Sequence, residues 1–490
     1  MPIMSIPSHA VGPFTIVGLP SAAGGGGGGG SPPVPDTDGW TFRTRFAAPV
    51  NEQRFSAVST DSNNNYYAVG YDRTRYHLYL GKYNSTGYNV WRQKLGGSGN
   101  LISSANIFTD TVIDSNDDMV SVGYGKIVDE RMLFVKYDSS GNIIWNLQGI
   151  DGGVTNHYPT AITADTSGNT YVAVTTRAQS TSGNEIPVVI KLNSSGSKVW
   201  AVKLDAPQAV GNSVSRHGIG LKLDSNGGLV LSGMIQGSGT SGNGTRSGLI
   251  IKLNSTNGAI IWSKIYDEPG NANGFHEDQF YNCGIDHNDD IITGGSTQYQ
   301  MGSTHYGILM KVSGTNGNIM WQRRILEPNY IKRVAVTSTG KIYASTAPVA
   351  AGGAAANVLY VYQNNGTLDQ EWTLTSGAGS GYYIEDIHID KNDNAILAGY
   401  WDTNYGTASW HNFITKLPAT IQRSSQAPSG DWYFNPHTIN GGDTAGGLSD
   451  ADQFTTFTSN TFNMSLISQS LSNQTWGEYA LTGPQIIYGV

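Results

Sequence analysis

The chain has 490 residues, of which only 13% are charged and 63 are glycine, and its formal net charge is −8. That acidic balance argues against a duplex nucleic-acid binder, which carries a basic face. Cys283 is the single cysteine, so an intrachain disulfide and a zinc site of thiolates are excluded, and no apolar run of about 18 residues offers a membrane span.

Residues 1–38 read as a leader. Pro2, Pro7, Pro13 and Pro20 break a mildly apolar stretch that has no Lys or Arg, so the charged start of a secretory signal is missing. Seven glycines, Gly24–Gly30, and the sequence SPPVP follow. Such a run holds no regular structure and acts as a tether. The leader is either a passive tail or an anchor peptide that docks on a larger assembly.

Residues 39–420 carry an internal repeat. MLFVKYDSSGNIIW at Met132–Trp145 is a hairpin: strand alternation, an Asp-Ser-Ser-Gly turn, and a returning strand that ends in tryptophan. The same hairpin ends at Trp91, Trp200, Trp262, Trp321 and Trp372. With Trp40 in front, the tryptophan intervals are 51, 54, 55, 62, 59 and 51. A second hairpin, with a turn led by Asp61, Asp114, Asp165, Asp224, Asp286, Thr337 and Asp390, alternates with the first. Repeats of about 50 residues with four strands each predict an all-β fold, a seven-bladed β-propeller. The seventh unit lacks a Trp strand, and Gly39–Phe46 is an orphan Trp strand. The N-terminal strand is therefore expected to close the last blade and hide the seam. The tryptophans are expected to pack between neighbouring blades.

Residues 421–490 form a C-terminal extension rich in Ser, Thr, Asn and Gly. ADQFTTFTSNTFNMSLI suits a strand and MSLISQSLSNQTW a short amphipathic helix, so the extension is β-rich or irregular, packed on the ring or on a partner.

LGGSGN at Leu95–Asn100, DTSGNTYVAV at Asp165–Val174 and FVKYDSSGNIIW at Phe134–Trp145 resemble the seven-bladed bacterial β-propeller repeat of the SBBP type. That resemblance covers residues 39–420 and implies fold rather than activity. NSTNGAIIW at Asn254–Trp262 is similar to the tryptophan-docking repeats of quinoprotein dehydrogenases. Those have eight blades and often a vicinal disulfide; this chain departs from both, and the quinone is not carried over. The leader, MPIMSIPS plus a glycine run before a low-charge β body, is similar to structural proteins of tailed phages of marine bacteria. It implies a virion location, on tail or capsid surface.

Two constellations invite a chemical reading. The turns at Asp114, Asp286 and Asp390 begin like an oxygen-rich calcium loop, but lack the later carboxylate such a loop needs. An Asx-stabilised hairpin turn is preferred, with calcium as the lesser reading. The residue eight before each turn position gives Gln53, Asn106, His157, Arg216, Asp278, Asn329 and Tyr382. These polar or amphipathic residues, nearly all different, fall where each innermost strand begins, and form the expected binding face at one mouth of the channel. His217, and His276 with Glu277, could join it as acid/base groups. No nucleophile elbow, zinc motif or phosphate loop is present, and no catalytic set is assigned. The expectation is a non-enzymatic virion structural or adhesion protein. Its partners would be virion or surface-assembly proteins through the leader, and a host glycan or receptor at the mouth. The alternative is a bacterial surface or secreted propeller that binds or cleaves carbohydrate.

Overall fold

The computed structural model describes residues 39–44, 53–72, 77–95, 104–126, 130–150, 155–178, 185–205, 219–236, 246–267, 278–298, 305–328, 330–347, 357–375, 382–402 and 410–419, and, nearer the C-terminus, 433–436, 443–445, 449–450, 458–461, 465–468 and 485–487. The chain divides into Met1–Asp36 and Thr37–Val490, and all described residues lie in the second unit. No described helix is long and apolar enough to cross a membrane.

Seven antiparallel sheets follow one another along this unit, each contributing four strands to the ring. Blade 1 is Gln53–Thr60, Tyr66–Asp72, Leu78–Tyr83 and Asn89–Leu95, and the pattern repeats to blade 6, which ends at Thr375. The first strand of every blade contacts the first strand of the next, and blade 7 contacts blade 1, so the ring is closed. Blade 7 has Tyr382–Ile389, Ala395–Asp402 and Trp410–Leu417, and its fourth strand is Gly39–Thr44, paired from Trp40↔Lys416 to Thr44↔Asn412. The N-terminal closure expected from the orphan Trp strand is therefore present.

Strand side chains alternate between the two sheet faces, and each face meets a different neighbouring blade. There are accordingly seven apolar clusters, one per blade interface. In blade 1, Ala57 joins the cluster shared with blade 2, and the adjacent Val58 joins the one shared with blade 7. Cys283 is buried between blades 4 and 5.

The recurring lysine and tryptophan form one clamp. Trp91, Trp145, Trp200 and Trp262 each donate Nε1–H to a carbonyl in the next blade: Ser139, Ser194, Ser255 and Gly314, at 3.0, 3.2, 3.3 and 3.2 Å. The lysine on the adjoining strand, Lys82, Lys136, Lys191 or Lys252, donates to that same carbonyl. The indole lies on the turn glycine: a Cβ on Gly141 would stand 2.9 Å from Trp91 Cδ2, and Gly141 has φ +88°. The tryptophans thus pack between blades as expected.

The second hairpin explains its own Asp. Asp114 Oδ1 accepts the N–H groups of Asn116 and Asp118 at 2.8 and 3.2 Å, and Asp286 and Asp390 do the same in their turns. The other oxygen is also engaged. Lys136 donates to Asp114 at 2.6 Å, Lys311 to Asp286 at 2.7 Å, and the Asn394 amide to Asp390 at 2.9 Å. At Asp114 and Asp286 an ammonium sits where the lesser, calcium reading would put its ion. The fourth turn residue can reach back to the preceding blade. Asp117, Asp289 and Asp393, at φ 60°, 61° and 63°, accept the N–H and hydroxyl of Ser62, Ser225 and Ser338. These latches join blades 1–2, 4–5 and 6–7.

The extension beyond the ring is a belt. Tyr433–Pro436 adds a fifth strand to blade 6, Asp443–Ala445 to blade 5, Ser449–Asp450 to blade 4, Thr458–Thr461 to blade 3 and Ser465–Ser468 to blade 2. Gln485–Ile487 then pairs with Gly39–Thr41 on blade 7. Among the described residues blade 1 keeps four strands. The helix reading fails at Ser465–Ser468, where the chain is strand. Outer edges of a propeller are unpaired backbone, and a Ser/Thr-rich segment with few charges is suited to cover them.

Candidate functional site

The two ends of the ring differ. One end carries the short, uniform turns just described. At the other end the innermost strands begin, and the variable connections between second and third strands, and between blades, depart from it. Those residues of the predicted face that fall on described strands or beside them lie at this second end. His157 and Asp278 are buried there. Gln53, Asn106 and Tyr382 lie in the first strands of blades 1, 2 and 7, with their side chains outside the described residues. Arg216, His217, His276, Glu277 and Asn329 also lie outside the described residues.

Three residues further along, the first strands of blades 1, 2, 3, 5, 6 and 7 each show a β-bulge; in blade 4 the described first strand begins only at Gly220. The extra residues are Ser56, Thr109, Thr160, Tyr281, Lys332 and Glu385. A bulge re-aims a side chain and leaves it outside the ladder. In four blades the residue facing the bulge is glycine. A Cβ on Gly70, Gly123, Gly295 or Gly399 would fall 1.9, 2.0, 1.7 or 1.9 Å from a carbonyl oxygen on the facing strand. Those glycines were the sequence signal for this position; regular alternation counted back from the Asp turn passes over it.

The bulge residues fall into two groups. Ser56, Thr109 and Thr160 place their hydroxyls against strand carbonyls: Thr109 and Thr160 donate within their own blades to Val122 and Ala173 at 3.2 and 3.3 Å, and Ser56 reaches Phe108 of blade 2 at 2.5 Å and Val69 of its own blade at 3.2 Å. Blades 5–7 carry Tyr281, Lys332 and Glu385 instead. Tyr281 packs against Tyr330 with centroids 4.9 Å apart, and Tyr330 is 37% exposed. Lys332 Nζ donates to Glu385 Oε2 at 2.7 Å across blades 6 and 7. Burial opposes the Glu385 charge, yet Lys332, Arg54 and Arg333 together hold its carboxyl below the usual range. Burial lowers the Lys332 ammonium, with Glu385 offsetting part of the effect. Beside them Arg54 lies 4.4 Å over the Tyr71 ring and 5.7 Å over Tyr400, which stacks on Tyr383 at 4.4 Å and 5°.

One residue deeper, Asp110, Asn282 and Asp386 accept the N–H groups of Ile162, Val334 and Val58 at 2.9, 3.2 and 3.0 Å. These latches join blades 2–3, 5–6 and 7–1, the interfaces that the turn latches miss. Only the 3–4 interface has neither kind among the described residues. Asp386 also meets Arg333 Nε at 3.6 Å. Burial pushes its carboxyl up to about 6, the Asp110 charge pushes the same way, and Arg333 and Lys222 oppose. Burial likewise raises Asp110. These four groups come from blades 2, 4, 6 and 7, so they converge on the channel. His388 Nε2 is 3.0 Å from Thr60 Oγ1, and burial, aided by Lys222, lowers its imidazole to about 3, which keeps it neutral.

Asn282 shows that an amide performs the Asp386 latch. Asp386→Asn is therefore expected to keep the ring and raise stability at pH 7 by about 1–3 kcal/mol, the worth of a shift of roughly two pH units. The sign follows from linkage: a carboxyl raised on folding favours the folded state below its unfolded value near 4, and loses that contribution as pH rises through about 6. Denaturation midpoints between pH 4 and 8 should show a flatter profile for the variant. A variant less stable than the parent at pH 7 would contradict this account.

No family model and no curated protein matches this chain. Among solved structures it is similar to Sqt1 of Chaetomium thermophilum, with 9% identity, TM-score 0.42, and coverage of 71% of this chain and 80% of that one. A protein of unknown function from Dyadobacter fermentans gives 9% identity and TM-score 0.41 over 78% and 99%. The soluble aldose sugar dehydrogenase of Escherichia coli, in its apo-form, gives 12% and 0.33 over 60% and 94%. Likenesses at these scores carry no functional weight; the strand pairing itself establishes the seven-bladed propeller.

Proposed function

We propose that this chain is a non-enzymatic binding scaffold, a propeller that offers its variable end to a receptor and is tethered through residues 1–38 to a larger assembly such as a phage virion. The observation that carries the reading is the split at the bulge. Blades 1–3 place a small hydroxyl there that is spent on strand carbonyls, and blades 5–7 place a tyrosine, a lysine and a glutamate there. A repeat supplies its own control: where one register position keeps a small hydroxyl in some copies and takes large aromatic or charged groups in others, the departures need a different reason. The aromatic and polar lining suits a ligand that is flat on one side and hydrogen-bonding at its rim. The tether is supported by leader composition, an uncharged apolar stretch joined to the body by seven glycines.

Two comparisons test this. The full-length protein is expected to sediment with particles released when its host lyses, and a chain beginning at Asp38 is not. Tyr330→Ala combined with Glu385→Gln is expected to lower attachment to bacterial envelopes at least tenfold while leaving particle association unchanged. Equal sedimentation of both chain lengths removes the tether; undiminished attachment by the double variant removes the mouth.

A further inference from the structure

We infer that residues 472–481 supply one more belt strand, a fifth strand for blade 1, paired with its outer edge at Gln93–Leu95. The belt then covers all seven blades, and the occupant of that edge is the chain's own segment, not a strand from another molecule.

The belt visits blades 6, 5, 4, 3 and 2 in turn, and its next described strand, Gln485–Ile487, lies on blade 7. Blade 1 stands between blades 2 and 7 in the ring. The shortest way from Ser468 to Gln485 around the ring runs past its outer edge. Steps between neighbouring blades use residues 437–442, 446–448, 451–457 and 462–464, three to seven residues each. The step from blade 2 to blade 7 has residues 469–484, sixteen in all. Two connections of the longest length seen take fourteen of them, and the two left over equal the shortest belt strand, Ser449–Asp450. Two connections of the shortest length leave residues 472–481. That stretch reads SNQTWGEYAL, with one charge and no proline, so every backbone N–H in it is able to join a ladder.

The other blades give the register. On blades 2, 3 and 4 the belt pairs within the stretch two to five residues after Trp145, Trp200 and Trp262, at Leu147–Ile150, Val202–Asp205 and Tyr266–Asp267. On blade 5 it pairs at Arg323–Ile325, after Trp321, whose Nε1–H reaches Asn364 of the next blade at 2.9 Å. Blade 6 agrees once Gln370 is read as its clamp position. Gln370 faces Val361 as Trp91 faces Lys82, and the belt pairs at Trp372–Thr375. The same offset on blade 1 begins at Gln93 and reaches the end of the strand at Leu95.

Edge protection gives the physical reason. An outer strand carries unpaired N–H and C=O groups along its length, and a single open edge is enough to template association. Six blades have a fifth strand among the described residues. A belt that closed six edges and left the seventh bare would leave that hazard in place.

Hydrogen–deuterium exchange of the full-length protein, read by mass spectrometry, is the test. The outward-facing amides of Gln93–Leu95 are expected to exchange as slowly as those of Leu147–Ile150, at every protein concentration. Replacing residues 472–481 by ten Gly and Ser residues is expected to speed exchange at Gln93–Leu95 by about tenfold or more, with Leu147–Ile150 and Gly39–Thr41 unchanged. Protection that is missing from the parent overturns the inference, and so does protection that survives the replacement. Protection that grows with protein concentration assigns the edge to a second copy and also overturns it. Where the replaced chain does not fold, the parent decides alone: slow exchange at every concentration supports the strand, and exchange at open-edge rates removes it.

Discussion

Lys136→Val should destabilise the protein by about 3–5 kcal/mol, the cost of stranding a buried carboxylate. Lys136 Nζ lies 2.6 Å from Asp114 and 3.1 Å from Asp118, and the Lys136 and Asp114 side chains are 4% and 0% exposed. The chain contains the matching experiment. Blade 6 has Thr337 where the other blades have Asp, and Val361 where they have Lys; Thr337 Oγ1 accepts the Lys341 N–H at 2.9 Å and Val361 is buried in the interblade core. Anion and cation have been lost together. Asp114→Thr with Lys136→Val should therefore recover at least half of the single variant's loss, because no buried charge is left unpaired. The cycle is best run in an Asp118→Asn background, which copies Asn65, Asn169 and Asn394 and removes the second carboxylate. Denaturant midpoints for the four chains give the coupling. If the double variant is as unstable as the two singles added together, the pairing account is wrong.

Removing residues 1–44 should abolish the folded monomer, while removing residues 1–38 should leave the melting temperature unchanged. Gly39–Thr44 pairs with Trp410–Leu417 on one side and, through Gly39–Thr41, with Gln485–Ile487 on the other. Without it the third strand of blade 7 becomes an edge. Phe413 and Ile414, now fully buried, would lie beside that edge, and each such side chain is worth about 1.5–3 kcal/mol of burial. An unpaired apolar edge also templates association with other chains. Size-exclusion chromatography and a melting curve decide the matter. A chain beginning at Arg45 that elutes as a monomer and melts like the parent would show that the clasp does not hold the ring.

Much of this architecture was legible because a repeat writes its geometry several times. The tryptophan spacing gave the blade count, and the orphan Trp40 strand gave the closure. What the periodic reading missed was local irregularity. Counting eight residues back from the Asp turn reaches the start of each inner strand, but assumes an unbroken alternation. The bulge inserts one residue opposite Gly70, Gly123, Gly295 and Gly399, and it brings Lys332 and Glu385 together from separate blades. The belt was hidden for another reason. Its strands are two to four residues long, as at Ser449–Asp450 and Thr458–Thr461, and pair through backbone at an edge, so they need no alternating apolar pattern.

The route of the belt has a consequence for biogenesis. Blades are synthesised in one rotational sense and the belt retraces them in the other, so blade 6, among the last made, is covered first. Gly39–Thr44 leaves the ribosome before any blade exists and must wait for Asn412–Lys416, then for Gln485–Ile487. The ring therefore becomes sealed only after every blade has been made. Digestion that enters the belt from its C-terminal side would uncover Gly39–Thr41 before it reaches the belt strands on blades 2 to 6.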